Sequence, residues 1–213
     1  MSADSTRSGS AASPPAAESP KVGGGPSVWN LPNQLSAARI VLSIACFIAI
    51  VSGWYLAAFV LFLVAVATDW LDGQLARRFG QITQLGRILD PFADKVIVCG
   101  TFILLGAIEE SLIPAWVAVI VTARELLVTA LRGICEGQGS DFSAKWVGKW
   151  KMVLQAVALS LSLWRLSYFP HDSAPAQYDS LLLLIVTLAV LITLYSGWVY
   201  VQLAIRLLQK QDA

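Results

Sequence analysis

Apolar residues run along the chain in six long stretches, at about 34 to 52, 54 to 78, 89 to 108, 112 to 133, 146 to 166 and 179 to 208. Each reaches or nearly reaches the ~20 helical residues that cross a hydrocarbon core ~30 Å thick, the last exceeding it by half. The breaks between them carry turn chemistry: Ser52-Gly53, the Phe79-Gly80 stretch, Glu109-Glu110 ahead of Pro114, Gly137 to Gly139, and Pro170 to Pro175. The pattern predicts an all-α, polytopic membrane protein with six transmembrane helices within residues 29–210. Residues 1–28 are rich in Ser, Ala, Pro and Gly and nearly devoid of large apolar side chains. They cannot bury enough surface to offset chain entropy and are expected to form a disordered tail. With no short apolar core before a small-residue cleavage site, the tail does not read as a signal peptide and is expected to stay attached, on the cytosolic side.

Composition agrees. Of 213 residues, 56% are hydrophobic and only 14% charged, too few to cover a soluble globule of this size. Orientation follows from the basic residues. With six spans and the N-terminus inside, only Arg165 of the fifteen Lys and Arg falls on the far side, near Asp172 and Asp179. The positive-inside rule then places both termini in the cytosol and the chain in the cell membrane as a multi-pass protein. A formal charge of +1 leaves no electrostatic footprint for nucleic acid. Cys46, Cys99 and Cys135 are widely spaced, without CxxC pairing, and read as inert thiols. The single His171 falls in the far-side loop and is removed from acid-base work on the cytosolic face.

The densest chemistry lies at the cytosolic ends of the second and third spans. Asp69-Trp-Leu-Asp72-Gly73-Gln-Leu-Ala76-Arg77 is followed, after eight residues, by Gly86-Arg-Ile-Leu-Asp90-Pro-Phe-Ala-Asp94. Arg78, Arg87, Lys95, Lys145, Lys149 and Lys151 share that side. An isolated ionised side chain at the centre of a membrane helix costs ~2.5 to 3.5 kcal/mol on insertion scales, so four acids near one boundary need cations or water around them. On a helix, Asp69, Gly73 and Arg77 form one stripe with Asp72 and Ala76 beside it, and Gly86, Asp90 and Asp94 repeat the spacing. Oxygen-only ligands point to Mg²⁺ or Mn²⁺ rather than Zn²⁺. Taken singly, Asp90-Pro91 reads as a helix N-cap with Pro at the first helical position, and Arg77 with Arg78 as plain membrane anchors. Those readings do not explain Asp69 and Asp72 at the C-terminal end of a helix, where the macrodipole disfavours negative charge. Nor do they explain Gly73, which weakens a helix by ~1 kcal/mol relative to Ala.

The pattern DxxDGxxAR, eight residues, GxxxDxxxD resembles the signature of the CDP-alcohol phosphatidyltransferases at every specified position. The resemblance implies transfer of a phosphatidyl group from CDP-diacylglycerol to an alcohol, with CMP leaving and two Mg²⁺ or Mn²⁺ ions held by Asp69, Asp72, Asp90 and Asp94. It further implies that Gly73, Ala76, Arg77, Thr83 and Gly86 contact CDP, and that Asp94 also takes the acceptor's proton. Outside the signature, Asn30 to Arg39, Thr122 to Arg132, and Gly148-Lys149-Trp-Lys151 with Gln155 resemble the branch whose acceptor is sn-glycerol 3-phosphate. That implies positioning roles for Asn33 and Arg39 at the first span, membrane lipids as surroundings, and a homodimer as the family expectation.

Charge favours an anionic acceptor independently. Arg124 lies near the middle of the fourth span with Arg132 two turns on, and Lys145 and Lys149 are one turn apart on the fifth. Arg124, Arg132 and Lys149 are therefore candidates for the acceptor phosphate. Glu125, as the adjacent residue, looks poorly placed to partner Arg124, which leaves a carboxylate elsewhere in the bundle or the phosphate. Inositol phosphate satisfies the same charge argument, and serine and phosphatidylglycerol are further acceptors within the family. Outside it, a divalent-cation transporter would expect acids near mid-membrane on several spans. Trp54, Trp116, Trp164, Tyr168 and Tyr178 read as interfacial anchors.

Overall fold

A computed structural model describes residues 31–79, 84–137, 146–169 and 174–209, with the backbone alone at 31–33, 69–79, 84–91, 134–137, 146–149, 207 and 208. The expected disordered tail, Thr83, Lys145, His171 and Asp172 lie outside the described residues. Six α-helices follow in order: α1 (Leu31–Val51), α2 (Tyr55–Phe79), α3 (Gln84–Gly106), α4 (Ala115–Gly137), α5 (Trp146–Tyr168) and α6 (Ala176–Gln209). No strand occurs among the described residues. Each helix falls on one of the six apolar stretches.

The breaks do what their residues allow. Gly53 ends α1 at φ +76°, a left-handed conformation that glycine adopts without a Cβ clash, and the Trp54 amide donates back to the Ala49 carbonyl at 2.8 Å. Between α3 and α4 a single 3-10 turn, Glu109–Ser111, precedes Pro114. The Ser111 hydroxyl donates to the Leu105 carbonyl at 2.7 Å, tying the turn to the end of α3. One boundary differs from expectation. Helix α3 begins at Gln84 rather than near 89, so Asp90 is inside the helix and is not its N-cap. Pro91 sits in the second turn, where its missing N–H forgoes a bond to the Arg87 carbonyl.

Helix α1 packs on α2 and α3, α3 on α4, and α5 on α2 and α6, while α4 also packs on α6. The shared core is built from Cys46, Ile50, Phe62, Ile97, Phe102, Val121, Leu159, Leu163 and Leu182, among others. Gly100 lets α3 approach α1: a Cβ there would run into the Phe47 ring. Beside this apolar core, polar side chains are also buried while large apolar ones face outward. Ser43, Thr101, Arg124, Glu125, Lys151, Gln155, Ser162, Arg165, Thr193 and Ser196 are buried, whereas Val41, Ile48, Val119, Leu184, Leu191 (58% exposed) and Trp198 (62%) point outward. An apolar outer shell with polar groups buried inside is the arrangement a lipid surrounding favours. Helices α1 and α6 carry segments long and apolar enough to cross a membrane, Gln34–Val51 and Ala176–Arg206. The remaining helices carry more charge along their length.

The end of the bundle at the start of α6 is fastened by Arg165, only 1% exposed. Its Nε and Nη2 donate to the two carboxylate oxygens of Asp179 at 2.7 and 3.1 Å, and Nη1 donates to the Glu110 carbonyl at 2.5 Å. One guanidinium thereby joins α5, α6 and the 3-10 turn. Tyr178 donates to the Leu161 carbonyl at 2.7 Å, and Trp164 packs between Phe59 and Tyr168.

Candidate active site

The signature acids stand on two helices joined by a short connection. Asp69, Asp72, Gly73, Ala76 and Arg77 lie in the last three turns of α2, and Gly86, Asp90 and Asp94 in the first three of α3. Only residues 80–83 separate the helices, a chain that spans under ~18 Å even fully extended. Because both segments are helical, Asp69, Gly73 and Arg77 share one face of α2, as Gly86, Asp90 and Asp94 share one of α3. Of the four acids, Asp94 is the one whose side chain is described.

Asp94 lines a cavity of about 300 Å³, together with Lys95, Ile97 and Val98 from α3, Ala65 and Val66 from α2, Glu125 from α4, and Lys151 to Val153 and Gln155 to Val157 from α5. Its charged groups are thus two acids and two lysines, on a wall otherwise apolar but for Gln155. Helices α4 and α5 do not pack backbone against backbone among the described residues. They are joined across the gap by side chains. Lys151 Nζ donates to Oε1 of Glu125 in a buried ion pair. The same oxygen accepts from Arg124 Nη1 at 2.9 Å.

This corrects the expectation for Glu125. Neighbouring side chains on a helix point about 100° apart, but an arginine has enough methylenes to fold back over its own turn. The space for that fold is supplied by α6. A Cβ on Gly197 would lie 3.1 Å from Arg124 Cγ, Arg124 Nη2 donates to Ser196 Oγ at 2.5 Å, and the guanidinium carbon sits 5.7 Å from the centre of the Tyr200 ring. One turn along α5, Gln155 Nε2 donates to Thr193 Oγ1 at 2.9 Å. Arg124 is thus bound to Glu125 and α6, and Lys151, like Lys95, presents a cation to the cavity beside Asp94.

Arg132 is half-buried two turns beyond Arg124, and Arg39 is buried on α1. Lys149 and Asn33 lie on α5 and α1, with side chains outside the described residues. The sequence reading missed the importance of Glu125 and Lys151. The signal available was the four-residue spacing of Lys151 and Gln155 within an apolar stretch, which marks a polar stripe facing inward. The donor set fits a hard divalent ion: helical carboxylates at one end of two adjoining helices, with Asp94 bordering a cavity large enough for a small ligand.

The sequence of residues 29–205 matches the CDP-alcohol phosphatidyltransferase family. The chain belongs to that family. Similar proteins include the CDP-diacylglycerol--glycerol-3-phosphate 3-phosphatidyltransferase of Bacillus subtilis (strain 168), 35% identical over 189 residues that cover 81% of this chain and 94% of the relative. The protein of the same name from Haemophilus influenzae is 33% identical over 182 residues, covering 83% and 94%. That from Escherichia coli (strain K12) is 39% identical over 142 residues, covering 64% and 78%. As a CDP-alcohol phosphatidyltransferase, the chain is an enzyme; its signature positions fall at the adjoining ends of α2 and α3, and Asp94 among them lines the cavity just described.

Proposed function

We propose that this enzyme transfers the phosphatidyl group from CDP-diacylglycerol to sn-glycerol 3-phosphate, releasing CMP and forming phosphatidylglycerophosphate. The carrying observation is the placement of Asp94 and Lys151 on one cavity wall. One is an acid able to accept a proton, the other a cation able to hold a phosphate. The printed names of the relatives support the choice of donor and acceptor.

In this reading Asp69, Asp72, Asp90 and Asp94 would hold two Mg²⁺ or Mn²⁺ ions. Bound there, the metal supplies neutralisation of the pyrophosphate and of the charge that develops on leaving CMP. Gly73, Ala76, Arg77, Thr83 and Gly86 contact CDP, small residues admitting the nucleotide and Arg77 meeting its phosphates. Asn33 and Arg39 position substrate from α1. Asp94 removes the proton from the acceptor hydroxyl as that oxygen attacks the donor's phosphorus. Lys151, with Lys149 and Arg132 toward the same end, holds the acceptor phosphate, and Arg124 acts on it through Glu125. Six spans, with both termini and the acid cluster on the cytosolic side, give the enzyme access to soluble glycerol 3-phosphate and to donor lipid within the bilayer. Assembly as a homodimer follows the family expectation.

The test is direct. Purified protein in detergent micelles is given CDP-diacylglycerol, glycerol 3-phosphate and Mg²⁺, and CMP release and lipid mass are followed. CMP with a product of phosphatidylglycerophosphate mass supports the reading. CMP with only the products of inositol phosphate, serine or phosphatidylglycerol, offered in parallel, replaces the acceptor.

A further inference from the structure

Glu125 presents two oxygens, and the described donors reach one of them. Lys151 and Arg124 both donate to Oε1, and no described donor reaches Oε2. Glu125 nonetheless lines the cavity, with its side chain one-tenth exposed. An acceptor-only oxygen at a cavity wall, held in place by two cations on its twin, is a fixed hydrogen-bond acceptor awaiting a donor. Its rotation is blocked from behind, since Arg124 is itself held by Ser196 and Tyr200 on α6. The other charged groups facing the cavity are Lys151 and Lys95, which donate only, and Asp94, which the reaction needs for proton transfer.

We propose that Glu125 is a specificity-determining residue that reads a non-reacting hydroxyl of the acceptor through Oε2, while the neighbouring Lys151 holds the acceptor's anionic group. The inference rests on the reading of the enzyme as one that uses glycerol 3-phosphate. Of that molecule's two hydroxyls, the primary one is the less hindered nucleophile, which leaves the C2 hydroxyl to donate. A carboxylate and an ammonium side by side select a ligand that carries an anion and a hydroxyl on neighbouring carbons. A hydroxyl-reading group left unpaired in a dry site penalises the analogue that lacks the hydroxyl.

The experiment compares glycerol 3-phosphate with 3-hydroxypropyl phosphate, which keeps the phosphate and the primary hydroxyl and lacks only the C2 hydroxyl. CMP release is measured with each, for the wild-type enzyme and for Glu125→Gln, in which Gln can keep the Oε1 contacts but puts an amide NH₂ in the place of Oε2. The wild type is expected to favour glycerol 3-phosphate in kcat/KM by about tenfold or more, and Glu125→Gln to reduce that preference to about threefold or less by exchanging a charge-assisted bond for a neutral one. A role confined to folding would lower both activities together and leave the ratio unmoved, and that result overturns the inference. So does a wild type indifferent to the C2 hydroxyl. If Glu125→Gln does not elute as a monodisperse species, Glu125→Asp serves: it keeps the charge, withdraws the oxygens by one methylene, and is expected to collapse the ratio in the same way. A wild type that releases CMP with neither acceptor overturns the glycerol 3-phosphate reading and this inference with it. An unmoved ratio in an active enzyme overturns this inference alone.

Discussion

Glu125 and Lys151 form a buried ion pair between two helices, α4 and α5, whose backbones do not approach closely among the described residues. With Arg124 on the same carboxylate oxygen, the three side chains carry two positive charges and one negative. The surplus is a single positive charge in a low-dielectric wall, and of the two cations Lys151 is the one that borders the cavity, beside Asp94. Such a site attracts an anion without leaving a lone charge buried in its absence.

Lys151→Ala is therefore expected to raise KM for glycerol 3-phosphate far more than KM for CDP-diacylglycerol, by the ~1.5 to 3 kcal/mol typical of a hydrogen bond to a charged group. Arg77→Ala is expected to show the opposite bias. Steady-state kinetics with each substrate varied in turn checks both. Equal impairment of the two substrates by both variants would dismantle the division into donor and acceptor ends.

Asp94→Asn separates chemistry from binding. The variant is expected to retain appreciable affinity for CDP-diacylglycerol while turnover falls by ~10² to 10⁴-fold, the usual contribution of a general base. Equilibrium binding of labelled donor alongside CMP release gives the two numbers, and near wild-type turnover would remove the assignment.

Asp69→Asn and Asp90→Asn are each expected to lower turnover on the order of 10²-fold or more, the scale found when a group stabilising transition-state charge is lost. Chelation of the wild type with EDTA is expected to abolish CMP release, and added Mg²⁺ or Mn²⁺ to restore it. Persistent release in EDTA would exclude the carboxylate-metal mechanism.

At the other end of α5, Asp179→Asn leaves the Arg165 guanidinium buried without its counter-charge, and removal of one partner of a buried pair costs about 3 to 5 kcal/mol. Part of Asp179 is exposed, which places the expected loss at the lower end of that range. Thermal unfolding in detergent is expected to shift downward while both KM values hold. Lys151 and Arg165 are fourteen residues apart on one helix, about 21 Å along its axis, so the fastening at one end is remote from the site at the other.

Much of this architecture is legible in the residues. Six apolar stretches become six helices because each is long and bounded by turn formers such as Gly53 and Pro114. The signature acids announce themselves by spacing, since four-residue intervals matter only on a helix. The start of α3 is less legible: Arg87 and Asp90 break the apolar pattern before Pro91, although the backbone is already helical there. Glu125 illustrates a different limit. Its partnership with Arg124 depends on the room above Gly197, seventy-two residues away from Glu125 in the chain, and no local pattern on α4 reports that. Lys151 was visible as a charge, but its direction became clear only with Gln155 bound to Thr193 one turn further on.

Helix α6 lines none of the cavity yet supplies Thr193, Ser196, Gly197 and Tyr200 to the side chains that do, or to their supports, while Leu184, Leu188, Leu191, Tyr195 and Trp198 face outward. Substitution tolerance along this helix will accordingly rise and fall with the helical period. Exchanges among large apolar residues on the outer face will pass almost unnoticed by growth or activity. A single added methyl at Gly197, or a hydroxyl removed from Ser196, will register at an acceptor these residues never touch.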